Sequence, residues 1–235
     1  MKKLVLLLAA GLLVSCSSKD YFIVPEYADK RIEKASLIIP TVKEFNISQD
    51  EYLFAEEELM AINKQFVESI NSKLLNEIDA NSTFNKIDFV DIEGRISKEN
   101  VKLPYTKGGS IHLNLPTKPL SIAGTEQQNL YILFFDQISL SIYKKQRETS
   151  DPAKHYTAST PAPTEARLTP AKLMDQVFAC EIKFALYNNQ LGKPVAYAIK
   201  IFEERISENH DIEKLVDKFV DKIAAYIVKD SPFKK

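Results

Sequence analysis

The two stretches VFACEIKFALY (residues 177–187) and VAYAIKIFE (residues 195–203) place apolar side chains at alternate positions. A period of two is typical of β-strands that bury one face. The segment between them, residues 188–194, is polar and contains Gly192, which is typical of a turn. The sequence therefore predicts a β-hairpin close to the C-terminus.

Three further strands are predicted earlier in the chain. Residues 36–42 and 87–92 are short runs rich in β-branched and aromatic side chains. Residues 130–143 are apolar on both faces at first, as in a central strand, and then alternate. Residues 95–129 hold several prolines and glycines, and only residues 111–115 there indicate one more possible strand.

Two long amphipathic helices are predicted, one between the strands at residues 36–42 and 87–92 and one after the hairpin. For the first, Ser48 and Glu51 have the spacing of a capping box, so the helix is expected to begin there. Apolar side chains then recur every three or four residues until the pattern ends at residues 79–82. The second helix is expected from about Asp211, with Asn209 as its cap and a continuous apolar stripe.

Together these elements predict an α+β fold. Two apolar helix faces and a mixed sheet of about five strands would satisfy each other as a two-layer sandwich, with both helices on one face of the sheet. Residues 144–170 contain four prolines and almost no large aliphatic side chain, so they are predicted to be a flexible insertion. A domain over residues 36–235 is long enough to bury one sizeable core.

The N-terminus has the layout of an export signal. Lys2 and Lys3 precede an apolar run over residues 4–14, which is too short to span a bilayer. The next residues, Leu13-Val14-Ser15-Cys16, resemble the bacterial lipobox, and this resemblance implies cleavage after Ser15 and lipidation of Cys16. Residues 1–15 are thus predicted to be a cleaved signal peptide, and residues 16–35 to be a lipidated tether.

Lipidation of Cys16 implies a membrane-bound protein of the cell envelope. Ser17 after the cysteine resembles the sorting signal of Gram-negative lipoproteins that pass to the outer membrane, facing the periplasm. Lys19-Asp20 is similar to a charged tag that carries some Bacteroidetes-type lipoproteins to the cell surface, so surface exposure stays open as an alternative.

Composition argues against several classes of function. The 31 basic and 32 acidic residues leave a net charge of −1, and no basic run marks a nucleic-acid surface. With six glycines and no phosphate-binding loop, no nucleotide or other cofactor is expected. The only cysteine besides Cys16 is Cys180, so no internal disulfide is expected, and its position in the strand predicts a buried thiol.

No set of catalytic or metal-binding side chains converges in the sequence, so a non-enzymatic protein is predicted. His112, His155 and His210 do not pair at a metal spacing. The alternating pattern of its strand places Asp136 at a position where the side chain is expected to be buried. Asp136 is either an inward-facing proton-transfer group or is turned to solvent by a β-bulge. Glu56 to Glu58 are predicted to be a solvated helix face.

The order of elements resembles the small α/β domain of envelope lipoproteins such as the curli-secretion pore family, penicillin-binding-protein activators and ABC-transport auxiliary lipoproteins. The resemblance spans residues 36–229, including the hairpin turn at residues 191–194. It implies an accessory or assembly factor that binds another envelope protein or itself. The 144–170 insertion is a candidate contact, because exposed loops often carry recognition, and the alternative is that it is only a poorly ordered connection. The alternatives are a carrier of lipid or a small apolar ligand, and an envelope hydrolase in which His112 and Asp136 meet in a cleft.

Overall fold

The computed structural model describes residues 20–43, 45–49, 54–92, 96–105, 108–122, 129–146, 174–206, 212–229 and 231–235. The signal peptide, the lipobox with Cys16, His155, His210, the predicted cap Asn209 and most of the predicted insertion lie outside these residues. The elements in chain order are β1 (Tyr21–Ile23), β2 (Ala35–Pro40), β3 (Asn46–Gln49), α1 (Glu56–Asn81), β4 (Phe84–Val90), β5 (Lys98–Pro104), β6 (Ser110–Pro116), β7 (Leu130–Gln146), β8 (Met174–Asn188), β9 (Lys193–Ile206) and α2 (Ile212–Lys229).

The described residues form one main sheet of seven strands in the order β1-β9-β8-β7-β2-β4, with β3 also paired to β7. Strand β2 is parallel to β4 and β7, and β3 is parallel to β7, while the pairs within β1, β9, β8 and β7 are antiparallel. The α+β class with a mixed sheet and two helices is therefore confirmed. The predicted number of about five strands is wrong, because β1 and β3 have only three and four residues and leave no periodic signal.

The C-terminal hairpin is confirmed. Strands β8 and β9 pair over nearly their whole length, and β7 extends the same antiparallel ladder on the other side of β8. In the turn, Gly192 has a φ of 64°, and the Asn188 side chain accepts a hydrogen bond from the Leu191 N–H at 3.0 Å. Glycine adopts this left-handed conformation without strain.

The first helix begins eight residues after Ser48, the first residue of its predicted capping box. Ser48 lies within β3, which pairs with Ser139 to Ile142 of β7, so the predicted start at Ser48 is wrong. The helix begins at Glu56, and the Glu58 carboxylate accepts a hydrogen bond from the Ala55 N–H at 2.8 Å. Glu56 to Glu58 are exposed as predicted, and their charges favour the positive end of the helix dipole.

Both helices contribute their apolar stripes to one large core. Phe66, Ile70 and Leu74 of α1 are completely buried in it, as are Phe219 and Ile223 of α2. Alternate residues of the central strands, such as Leu37 and Cys180, belong to the same cluster. The helices also contact each other through a hydrogen bond from Ser69 to Asp217 and an ion pair between Lys73 and Asp217.

The other face of the sheet is partly covered by a ribbon made of β5 and β6. These two strands form a separate antiparallel pair, and β6 buries Ile111, Leu113 and Leu115 while it exposes His112 and Asn114. The apolar side of β6 packs on Ala185 and Tyr197. The sequence indicated only part of this ribbon, since Lys98 to Pro104 are mostly polar and exposed.

Residues 21–23, within the stretch predicted as a tether, form β1 at the edge of the main sheet. Tyr21 is 4% exposed, and its hydroxyl donates a hydrogen bond to the Ile227 carbonyl at 3.0 Å. Phe22 stacks on Tyr197 with 4.9 Å between ring centroids. Residues 20–35 of the predicted tether are therefore part of the folded domain.

We expect Phe66→Asp to lower the free energy of unfolding by about 4 kcal/mol or more, because it places an unpaired carboxylate in a fully buried position. Urea unfolding monitored by circular dichroism measures this change. The matched control is Met60→Asp on the same helix, where the side chain is 68% exposed. Equal, small effects of both substitutions would contradict the packing of α1.

A second prediction concerns Glu204, which joins β9 to α2 through Lys218 at 2.8 Å and through Lys222. Burial acts to raise the pKa of Glu204, but hydrogen bonds from the two lysines and their charges outweigh it and hold the pKa below its ordinary value of 4.5. Because the pKa of this carboxyl is lower in the folded state, its ionisation stabilises the fold at pH values above the ordinary pKa. This stabilisation is lost as the pH falls below the ordinary pKa. Glu204→Gln is therefore expected to cost about 1 kcal/mol at pH 7 and to differ progressively less from the parent protein below pH 4.5. The control is Glu77→Gln on the exposed face of α1. If the loss of unfolding free energy in Glu204→Gln does not depend on pH, the ion pairs of Glu204 with Lys218 and Lys222 are not its cause.

Candidate functional site

The structure turns Asp136 away from the helix core by a β-bulge. The pairing of β7 with β8 skips Asp136 between Phe135 and Gln137. The extra residue shifts the parity of the strand, because Leu133 before the bulge and Ile138 after it both belong to the helix-side core. Of the two alternatives predicted for Asp136, the β-bulge is thus confirmed.

Asp136 holds the ribbon against the main sheet. Its Oδ1 accepts hydrogen bonds from the backbone N–H of Asn114 at 3.0 Å and from the Asn114 side-chain amide at 2.7 Å. Hydrogen bonds to a carboxylate are stronger than those between neutral groups. The side chain therefore has a structural partner on β6 and is not a free acid aimed into the core.

The hydrolase hypothesis required His112 and Asp136 to meet, and two asparagines separate them instead. His112 Nδ1 lies 2.9 Å from the Asn100 Oδ1, and the Asn100 amide donates to Asn114 at 3.4 Å. Asn114 in turn binds Asp136. The result is a chain of polar contacts on the exposed face of the ribbon, without direct contact between histidine and acid.

Cys180 is buried in the core as predicted. Burial raises the pKa of its thiol to about 12, and the nearby negative charge of Glu181 acts in the same direction. Since the thiolate is the reactive form of cysteine, the thiol is inert at neutral pH. Across the described residues, no group of three or more His, Cys, Asp or Glu side chains is placed to hold a metal ion.

The main surface feature near Asp136 is an open cleft of about 930 Å³ beside the bulge. It lies beyond the C-terminal ends of the parallel strands β2 and β4, which is where open α/β sheets commonly bind ligands. One wall is the chain that leaves β2, residues 40–43, 45 and 46, and the opposite wall is β7 around its bulge. Its lining mixes apolar side chains with polar and charged ones, and the latter include Lys43, Lys98, Asp136 and Gln137.

The cleft coincides with an interruption in the sheet. Strand β2 pairs with β7 only over Leu130 to Ile132, and β3 resumes the pairing at Ser139. Between these two ladders, Leu133 to Ile138 of β7 have no strand partner on this side among the described residues. In an antiparallel ladder every second residue points its N–H and C=O away from its partner, so part of the backbone of this segment faces the cleft.

Helix α1 holds the β2–β3 connection away from β7. The Asn71 side chain accepts from the Val42 N–H at 3.2 Å and donates to the Val42 carbonyl at 2.8 Å. The Asn63 side chain donates to the Phe45 carbonyl at 2.9 Å, and Lys43 forms an ion pair with Asp91 at 3.3 Å. The connection therefore directs backbone groups toward the helix instead of completing the ladder on β7.

The side chains around the cleft give it two apolar sides. Toward the helices, Phe45 and Ile138 are 7% and 8% exposed, and toward the ribbon, Ile92 and Phe134 are 5% and 2% exposed. Lys98 lines the ribbon side and has no ion-pair partner among the described residues. The site can thus accept an apolar group between two walls, beside exposed strand backbone and a cation.

Sequence reasoning did not find this site. Asn63 and Asn71 lie beside the apolar stripe of α1, where an asparagine gives no sign of binding a distant backbone. The break in the ladder depends on the position of β3, which the sequence assigned to a helix start. Asp136 was the one signal available, because an acid at an apolar parity indicates a bulge.

No protein-family model matches the chain, and no curated protein matches it in sequence. Among solved structures, a protein from Helicobacter pylori described as a homolog of a neuraminyllactose-binding hemagglutinin is similar to the chain with a TM-score of 0.38. The two are 7% identical, and the match covers 84% of each chain. Separately, neither helix of the described residues has an apolar stretch long enough to cross a membrane.

We expect Asp136→Ala to lower the free energy of unfolding by about 1 kcal/mol, because it leaves the Asn114 N–H without its acceptor. Amide exchange at Asn114, measured by nuclear magnetic resonance, should accelerate at the same time. His112→Ala on the same strand is the control and should leave that amide unchanged. Unaltered exchange at Asn114 in Asp136→Ala would show that the carboxylate does not secure the ribbon.

Proposed function

We propose that this protein is a lipid-anchored lipoprotein of the bacterial envelope that acts as a non-enzymatic accessory or assembly factor by binding another protein. Lipidation is proposed at Cys16, after removal of residues 1–15. The proposed location is the outer membrane facing the periplasm, with exposure at the cell surface as the alternative. The partner is another envelope protein or a second copy of the chain, and neither nucleic acid nor a cofactor takes part.

The observation that carries the proposal is the short distance along the chain between the lipobox cysteine and the folded domain. Asp20 is tied to the domain by an ion pair with Lys200 at 2.7 Å, and its carbonyl accepts a hydrogen bond from the Tyr105 hydroxyl. Four peptide units separate Cys16 from Asp20, so an extended chain would span at most about 14 Å. A lipid on Cys16 therefore keeps the domain next to the bilayer, where it can meet membrane-bound partners.

The arrangement of helices and sheet supports a scaffold for binding. We propose that α1 and α2 form one layer and the main sheet a second layer, because both helices share one core with alternate residues of the strands. This two-layer unit leaves the edge of β7 beside the cleft accessible. An unpaired strand edge next to apolar side chains is a common place for protein contacts.

Membrane attachment tests the first half of the proposal. We expect Cys16→Ser to abolish incorporation of labelled palmitate and to move the protein from the membrane fraction to the soluble periplasmic fraction. Lipid chains stabilise membrane binding by about 0.8 kcal/mol per buried methylene, so loss of all chains should release the protein. Ser17→Ala is the matched control and should stay on the membrane. Palmitate labelling that persists in Cys16→Ser would contradict the proposed anchor.

Crosslinking in intact cells tests the second half. The lipidated protein, purified from its own membranes after crosslinking, should carry one envelope protein or a second copy of itself in reproducible stoichiometry. The soluble Cys16→Ser protein should yield much less of the same product. Absence of any crosslinked protein from the lipidated form would contradict the accessory role.

A second candidate function is transport of a lipid or small apolar ligand. The cleft favours it, because its volume of about 930 Å³ lies in the range of small-molecule sites and apolar side chains such as Phe134 and Ile92 line part of it. Mass spectrometry of the intact protein under non-denaturing conditions would reveal a bound lipid. A protein that carries no lipid after gentle purification from its membranes would argue against this role.

A further inference from the structure

We infer that the cleft receives a short extended peptide segment of the partner protein, which adds a strand to β7 in the interval between β2 and β3. This inference rests on the proposed role in protein binding and specifies how the partner is held. Three features support it: the break in the pairing of β7, the apolar side chains on the helix side and the ribbon side of the cleft, and the side chains of Asn63 and Asn71 that hold the β2–β3 connection away from β7.

Exposed strand backbone favours a peptide over a purely apolar ligand. A lipid tail offers no hydrogen bonds to the N–H and C=O groups that β7 directs into the cleft between Phe134 and Ile138, and burying such groups without partners is costly. A peptide in extended conformation supplies complementary groups at the same spacing. Addition of a strand to an open sheet edge is an established mode of peptide recognition.

The interval has room for one short strand. Six residues of β7 lie between the last residue paired with β2 and the first residue paired with β3. At about 3.3 Å per residue this interval is about 20 Å long. Strand β2 continues two residues beyond Ile38, to Pro40, and β3 begins at Asn46, so both ends of the interval are occupied. We therefore expect a bound segment of about three or four residues.

Both faces of an added strand would meet apolar side chains. Phe45 and Ile138 lie on the helix side, while Ile92 and Phe134 lie on the ribbon side. A strand that is buried on both faces is apolar throughout instead of alternating. The segment should therefore be a continuous apolar run, and the cation of Lys98 on the ribbon side favours an acidic residue next to it.

The open interval is built into the structure and does not depend on loose packing. Asn71 binds both backbone groups of Val42, and Asn63 binds the carbonyl of Phe45, so the wall opposite β7 is fixed to α1. A second, shallower depression of about 640 Å³ shares Lys43, Phe45 and Asn46 with the cleft and runs along α1 past the exposed Met60. Residues that flank the bound segment could follow this path.

The test uses random octapeptides displayed on phage and selected on the folded protein. Enriched sequences should contain an apolar run of about three or four residues with an acidic residue at one end. The best sequence is then synthesised with N-methyl groups on every second backbone nitrogen, in both possible phases. One phase should weaken binding about tenfold, because it removes hydrogen bonds to β7, and the other should change it little.

The variant Thr41→Trp fills the cleft from the loop side, and we expect it to weaken binding of the synthetic peptide at least tenfold. Lys193→Trp introduces the same side chain on the exposed hairpin turn and should bind normally. If circular dichroism shows that Thr41→Trp is unfolded, Ile96→Trp on the ribbon side takes its place. Equal binding by the filled and the control variants would overturn the inference, as would equal effects of the two methylated peptides.

The same variants separate this inference from the proposed function. If the crosslinked envelope partner is captured equally by Thr41→Trp and by the parent protein, the partner binds elsewhere and only the cleft assignment fails. If no octapeptide is enriched and the cleft is found to hold lipid, the peptide assignment is overturned in favour of the carrier role. Capture of the partner by the parent protein and by Lys193→Trp, but not by Thr41→Trp, supports both.

Discussion

The structure depends on the β-bulge at Asp136, because β7 is the one strand that joins the two parts of the main sheet. On one side it pairs with β8 along almost its whole length, and on the other side it pairs first with β2 and then with β3. A regular strand would turn either Leu133 or Ile138 away from the helices. The extra residue lets both pack in the same core, and it leaves the carboxylate free to hold Asn114 of the ribbon.

The bulge and the first helix together explain why the sheet has an open interval. The β2–β3 connection does not follow β7, because the side-chain amides of Asn63 and Asn71 bind its backbone from α1. Backbone groups that would otherwise complete the ladder are satisfied by the helix, while the matching segment of β7 faces a cleft. A local exchange of hydrogen-bond partners thus turns part of a packed fold into a surface on which another chain can pair.

The long elements were predictable from the sequence, and the short ones were not. The hairpin of β8 and β9, strand β7 and the stripes of both helices follow from periodicity over ten or more residues. Strands β1 and β3 and the polar strand β5 are too short or too hydrophilic to produce such a pattern, so Ser48 was assigned to a helix cap that the structure places in β3. Of the candidate site, Asp136 could be recognised from its parity, but Asn71 and Val42 are 29 positions apart, and their contact depends on how α1 returns across the sheet.

Amide hydrogen exchange along β7 in the intact, ligand-free protein shows whether the edge beside the bulge is open. Within Phe134 to Ile138 every second amide should exchange faster than the amides of Ser139 to Ile142 on the same edge, because the latter are paired with β3. Amides that point toward β8 should be protected in both segments. Uniform protection along the whole strand would show that the interval is already filled by hydrogen bonds, and it would contradict an open edge beside the bulge.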